Sequence, residues 1–207
     1  MALSGKLFRE ITLADVQELV TSRIAEDTII EYKRQALHPS TPPKQLDDEK
    51  DELLTDLISL ANASGGHVFF GIETDSQERA SGFVPMSGAR AKALANQLRD
   101  TCGAHIKPTI ENVEIQPFCL DDKKDEWLVI VVIPASARKP HMSAFRHQTK
   151  FFIRLGNAKR AMTSQLPGSR AVVRSGSRGA EGLRYRLFRY LGDWPCFQEQ
   201  PLTFLWH

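Results

Sequence analysis

Apolar positions fall into two periods along this chain. After Thr12, a side chain suited to capping a helix, Leu13, Val16, Leu19 and Val20 recur at helical spacing. Thr28-Ile29-Ile30-Glu31-Tyr32-Lys33 is β-branched and aromatic, which predicts a strand. Residues 38–46 are broken by three prolines and predict a loop. Leu53, Leu54, Leu57, Ile58 and Ala61 then form one stripe of an amphipathic helix that Gly65-Gly66 ends. Val68 to Ile72 is a continuous apolar run, as in a buried strand, and Ala80 to Val84 supplies a hairpin arm beside it. Ala91, Leu94, Ala95 and Leu98 predict a helix over 88–101, with Gly103 at its end. Strands are expected at 110–118 and 127–133 around a charged hairpin loop, then at 150–154, with a short closing helix over 157–164.

The resulting order, β-α-β-β-α-β-β-β-α, is mixed rather than alternating. It predicts an α+β fold, a twisted mixed β-sheet with flanking helices on one side. Residues 1–23 read as a helical segment, 24–166 as one domain and 167–207 as a basic tail. Within that tail, 167–182 is rich in Arg, Ser and Gly and reads as a linker. Leu183 to Leu191 suits a basic amphipathic helix carrying Arg184, Arg186 and Arg189.

Charge changes this picture little. The net charge of +2 names no partner, but the tail holds six Arg against three acidic residues, so residues 1–166 sum to −1. Three cysteines without a Cys-x-x-Cys pair argue against a disulfide framework and against zinc. Together with an N-terminus lacking a long apolar stretch, this leads to the expectation of an intracellular, cytoplasmic location, with the nucleus also open. The most apolar run, Trp127 to Pro134, is too short to span a bilayer. No Gly-Lys-Ser/Thr follows the Gly pair, so a nucleotide cofactor is not expected.

Several short pieces occur in a recognisable order: Glu31-Tyr32-Lys33, Leu60-Ala61-Asn62 with Gly65-Gly66, Phe70-Gly71-Ile72-Glu73, Ser81-Gly82-Phe83 and Ile106-Lys107-Pro108. Val132-Ile133-Pro134, Lys139-Pro140-His141 and Phe152-Ile153-Arg154-Leu155-Gly156 follow. Over about residues 24–163 the chain resembles the Schlafen-type AlbA domain, found in Schlafen proteins and in many bacterial proteins described as DNA-binding or helicase-associated. The resemblance implies a single lobe of twisted sheet and helices, often paired with a second copy, so a homodimer is one expectation. In animal Schlafens two lobes form a basic groove that binds structured RNA. Some cleave transfer or ribosomal RNA with three carboxylates and a divalent metal. Carried onto this chain, Glu26 and Glu31 have the spacing of two of those carboxylates, and Glu73 or Asp75 takes the third place. The zinc ligands of the animal proteins have no counterpart here.

Two chemistries follow. Glu31 and Lys33 share one strand face, and converging carboxylates at Glu26, Glu31 and Glu73 or Asp75 would repel one another unless Mg²⁺ or Mn²⁺ lay between them, with Lys33 stabilising charge in the transition state. The other reading of Glu-x-Lys is a surface pair. Arg138, Lys139, His141, Arg146, His147 and Lys150 form a basic run between two strands that suits RNA or DNA phosphates. Arg154 is either an internal salt-bridge partner or a phosphate ligand. Asn62 with the Gly pair ends a helix or, alternatively, places backbone N–H groups near phosphate. The expected activity is nucleic-acid binding through the basic loop, with metal-dependent cleavage of structured RNA such as transfer RNA, or a non-catalytic assembly role, as alternatives.

Overall fold

The computed structural model describes residue 3, residues 5–147, 150–156 and 158–162, and the strands at 170–175, 185–190 and 198–199. Helix α1 (Leu13–Thr21) starts where Thr12 predicts. The Asp15 carboxylate accepts from the Thr12 N–H at 2.8 Å, and the Asp15 N–H donates to Thr12 Oγ1 at 3.3 Å, closing a capping box. Lys6 adds a 2.7 Å ion pair, and these bonds, Lys6 first, bring the Asp15 carboxyl down to about 2.

Strand β1 (Ile30–Lys33) begins after an Asx turn in which Asp27 accepts from the N–H groups of Ile29 and Ile30. Helix α2 (Pro43–Asn62) starts earlier than the proline-rich segment suggests, because proline is tolerated at the first helical position, where no N–H is needed. Then come β2 (Gly66–Phe70), β3 (Ile72–Thr74), β4 (Ala80–Phe83) and α3 (Gly88–His105). Gly103 lies inside α3 rather than ending it. After β5 (Ile106–Lys107) follow β6 (Glu114–Asp121), β7 (Glu126–Ile133), β8 (Met142–Ser143), β9 (Lys150–Leu155) and β10 (Ala158–Met162).

The main sheet has the order β1-β2-β7-β6, with β1 and β2 parallel and the other pairs antiparallel. A second antiparallel sheet runs β10-β9-β8-β5. The fold is α+β, as expected, but helices cover both faces of the main sheet. Val68, Phe70, Val129, Val131 and Ile133 pack with Leu54, Leu57 and Ile58 of α2 and Leu94 and Leu98 of α3. Phe69, Leu128, Ile130 and Val132, on the other face, pack with Val16 and Leu19 of α1 and with Ile72 and Ala80 of the β3–β4 hairpin. The apolar residues of β2 and β7 therefore meet an apolar layer on either face, which explains the unbroken hydrophobic runs of these two strands.

Of the closing helix expected over 157–164, residues 158–162 form strand β10 instead, and 157, 163 and 164 lie outside the described residues. Leu155 pairs with Ala158, and Gly156 adopts φ +66° in the tight turn between them. The tail also differs from expectation. Within the stretch read as linker, Arg170–Ser175 (β11) is a strand, and within the stretch read as helix, Tyr185–Tyr190 (β12) is another; with Gln198–Glu199 (β13) they form an antiparallel sheet, and the rest of both stretches lies outside the described residues. Val172, Val173, Tyr185, Phe188 and Tyr190 are strand formers, and that preference outweighs the arginine pattern. Arg184 and the stretch between 200 and 207 lie outside the described residues. No helix of the described residues is long and apolar enough to cross a membrane.

Candidate carboxylate site and nucleic-acid interface

Glu31 stands opposite Val68 in the β1–β2 register. Val68 faces α2 and α3, so period two sends Glu31 and Lys33 to the α2 side and Ile30 and Tyr32 to the α1 side. Glu31 is only 2% exposed. Its Oε2 accepts from Arg154 Nη1 at 2.7 Å, and its Oε1 lies 3.0 Å from Lys159 Nζ and 3.3 Å from Lys33 Nζ. Burial alone would raise the Glu31 carboxyl, but Lys33, Lys159 and Arg154 together hold it below its ordinary value. Arg154, itself buried, also donates to the carbonyls of Asp27 (2.8 Å) and Ile30 (3.2 Å). Of its two readings, the structure shows the internal salt bridge.

Asp56 of α2 completes the cluster, although it belongs to none of the motifs in the sequence. Fully buried, it contacts Lys33 at 2.9 Å and Lys159 at the other oxygen. Neither oxygen has an aligned hydrogen bond, so charge pairing alone holds it. Asp56 interrupts the apolar stripe of α2, and a charged residue at such a position was the available signal. Burial pushes its carboxyl up, against the pull of Lys33. Lys33 in turn is held above its usual range: burial would lower it, but Asp56 and Glu31 more than compensate.

The remaining carboxylates fare differently. Glu26 accepts from the Tyr32 N–H at 3.1 Å, and burial, then the charge of Glu31, raises its carboxyl. Glu73 pairs loosely with exposed Arg34 at 3.4 Å. Asp75 braces the turn after β3, accepting from the N–H groups of Gln77 and Arg79 and pairing with Arg79 at 2.9 Å and Arg23 at 2.6 Å. Those bonds, the Arg79 side chain first, hold Asp75 far below the usual carboxylate range. Glu26 and Glu31 thus lie close enough to interact, but among the described residues no three His, Cys, Asp or Glu side chains converge in a way that could hold a metal ion. With both Glu31 oxygens taken by cations, the donor set as placed does not fit Mg²⁺ or Mn²⁺.

The basic run divides into surface and core. Arg138 pairs with Glu111 at 2.8 Å, Arg146 with Asp48 at 3.0 Å and Asp47 at 3.6 Å, and Lys150 with Asp51 at 2.7 Å. Lys139 Nζ donates to the Ala63 carbonyl at 2.7 Å. The side chain of His147 lies outside the described residues. His141, by contrast, is fully buried and has no surface to offer a phosphate. Its Nδ1–H donates to the Pro108 carbonyl at 2.6 Å, which leaves Nε2 to accept from Ser136 at 2.7 Å. Its backbone N–H donates to Asn62 Oδ1 at 2.6 Å, while Asn62 Nδ2 donates to the carbonyls of His141 and Phe152. Asn62 therefore ties α2 to the loop and to β9. Gly65 (φ +79°) lets the backbone at Pro134 and Ala135 pass within contact distance.

Burial lowers the His141 imidazole, and it does the same for His67. A depressed folded value means stability present above the unfolded pKa of about 6.5 and lost as pH falls through the folded value. Melting temperature is expected to drop between pH 7 and pH 5. In His141→Asn the drop should be shallower; an identical pH profile would show that His141 does not titrate with unfolding.

Residues 26–163 match the family described as Schlafen, AlbA_2. No curated protein matches the chain. Among solved structures, the DIP2311 protein from Corynebacterium diphtheriae is similar at 16% identity with a TM-score of 0.45. That alignment covers 81% of this chain and 31% of the other, so the chain spans about a third of that protein's length. The family match takes in every element from β1 to β10, and the chain belongs to the Schlafen, AlbA_2 family.

Proposed function

We propose that this chain is a nucleic-acid-binding domain that grips RNA or DNA backbone through Arg138, Lys139, Arg146 and Lys150. Family membership supports a nucleic-acid-related role. The observation that carries binding over cleavage is the contrast between two sets of ion pairs. Glu31 is buried and engaged at both oxygens, whereas the Arg138–Glu111 pair is 58% and 62% exposed and the Arg146–Asp48 pair 39% and 62%. Exposed pairs contribute about 0–1 kcal/mol. A phosphate can therefore displace the surface carboxylates at little cost, while freeing Glu31 would leave buried cations unpaired.

Fluorescence anisotropy with labelled RNA and single-stranded DNA tests this. Arg138→Glu with Arg146→Glu should weaken binding and lower the salt slope by about one for each phosphate no longer neutralised. Asp47→Asn with Asp48→Asn should tighten it by removing the competing charges. Unchanged affinity in both variants would refute the loop as the binding surface.

A second reading, metal-dependent endoribonuclease on structured RNA such as transfer RNA, draws on the Glu26–Glu31 repulsion, which a cation would relieve. It requires Glu31 to exchange its cationic partners first. Incubation of transfer RNA with and without Mn²⁺, alongside Glu31→Gln, decides: metal-dependent fragments lost in the variant establish cleavage, and intact RNA in all lanes leaves binding.

A further inference from the structure

Two cavities adjoin on the surface between the start of α2 and the start of α3. One, of about 230 Å³, is walled by Gln35, His38, Ser40, Thr41, Gln45 and Glu49. The other, of about 120 Å³, shares Gln35, Ala36 and His38 with it and adds Val84, Pro85, Met86 and Leu94. The result is one groove with a polar end and an apolar end.

Its chemistry disfavours an anion. Arg90, the cation at the apolar end, spends its guanidinium on the carbonyls of Ala36 (2.7 Å) and Leu37 (2.9 Å) and on Gln97 (3.1 Å). Glu49, which accepts from the Leu37 N–H at 2.8 Å, puts a carboxylate in the polar wall. The Ser40 hydroxyl is taken up by His38 Nδ1 at 2.6 Å and that of Thr41 by Glu49 at 3.5 Å, which leaves the amides of Gln35 and Gln45, able to donate and accept, and the His38 ring, facing a wall of Met, Pro, Val and Leu. Taken together, the two volumes reach only the lower end of the roughly 300–1,000 Å³ of pockets for larger ligands. A flat, uncharged group with donors and acceptors along its edge fits all of these features. Gln45 and Glu49 line the groove from the first turns of α2, and Asp47 and Asp48 of those same turns, on other faces of the helix, hold Arg146, so the groove and the cationic loop meet the same end of α2.

We infer that this groove receives one unpaired nucleobase of a strand whose backbone the loop grips. The inference rests on the binding reading above and adds a preference to it: single strands over duplexes. In single strands, splayed bases expose both a face for apolar contact and an edge for hydrogen bonding, which a duplex conceals. Gln35 and Gln45 read the edge, and Pro85 and Met86 form the floor.

The test compares a single-stranded oligonucleotide with its own duplex on the full chain. Gln35→Ala with Gln45→Ala, both at exposed positions, should lower single-strand affinity roughly tenfold and leave duplex affinity unchanged. Equal losses on both substrates, or none on either, overturn the groove while leaving backbone binding in place. Methyl NMR provides a second measurement that does not depend on polymer binding. Free nucleosides at millimolar concentration should shift the Met86 methyl signal and not that of Met142. If the wild type binds no strand but Met86 shifts, the loop reading fails and the groove stands; if Met86 is silent, the groove fails.

Discussion

Arg154→Met is expected to destabilise the domain by about 3–5 kcal/mol, the usual consequence of removing one partner from a buried ion pair. The Arg154 side chain has no exposed surface and makes three hydrogen bonds, one to Glu31 and two to the β1 region. Methionine fills similar volume, so the loss measures uncompensated charge rather than a cavity. Lys33 and Lys159 remain near Glu31 Oε1, but Oε2 and the carbonyls of Asp27 and Ile30 lose their donor. Adding Glu31→Gln to Arg154→Met should recover part of the loss, because the buried charge disappears with its partner. Urea unfolding of the two single variants and the double variant measures this. Strict additivity would mean that the pair is not coupled, contrary to the 2.7 Å separation.

Gly65→Ala is expected to cost on the order of 4 kcal/mol, combining a left-handed backbone with overpacking. A Cβ there would lie 2.7 Å from Ala135 N and 2.8 Å from the Pro134 carbonyl carbon, and backbone cannot rotate aside as a side chain would. Gly103→Ala supplies the opposite sign. Gly103 lies inside α3, and a Cβ added there would meet nothing within 4 Å, so alanine should stabilise by about 0.5–1 kcal/mol. Thermal denaturation of both variants separates the two glycines. Similar behaviour would remove the case that Gly65 is there for close approach.

These two residues also mark how far the sequence can be read. The apolar runs of β2 and β7 and the stripe of α2 are visible because burial on both faces, or on one helical face, leaves a period. Gly65 is readable as a helix end, but its partner, the Pro134–Ala135 backbone, lies about 70 positions away and leaves no local signal. The same holds for Asp56: a carboxylate inside an apolar stripe announces burial without naming Lys33 and Lys159. Arg154 stands open between core and surface because an arginine in a strand looks the same in either role. Residues 157–164 read as helix because a few residues are too short for helical and strand periods to separate, and the turn at Gly156 decides the matter. In the basic run, charge is legible but exposure is not, which is why His141 stands among surface cations in the sequence and in the core of the fold.

The ion pair between Arg154 and Glu31 spans 123 residues of chain. At a synthesis rate of about 5–20 residues per second, the arginine follows the glutamate by roughly 6–25 s. During that interval Glu31 has Lys33 beside it but lacks Arg154 and Lys159, the other two cations that offset its burial. The buried cluster is complete only once β9 and β10 have been made, after β2 and β7, the most apolar strands, have already emerged. The charge balance of β1 is thus settled by the last part of the domain to be synthesised.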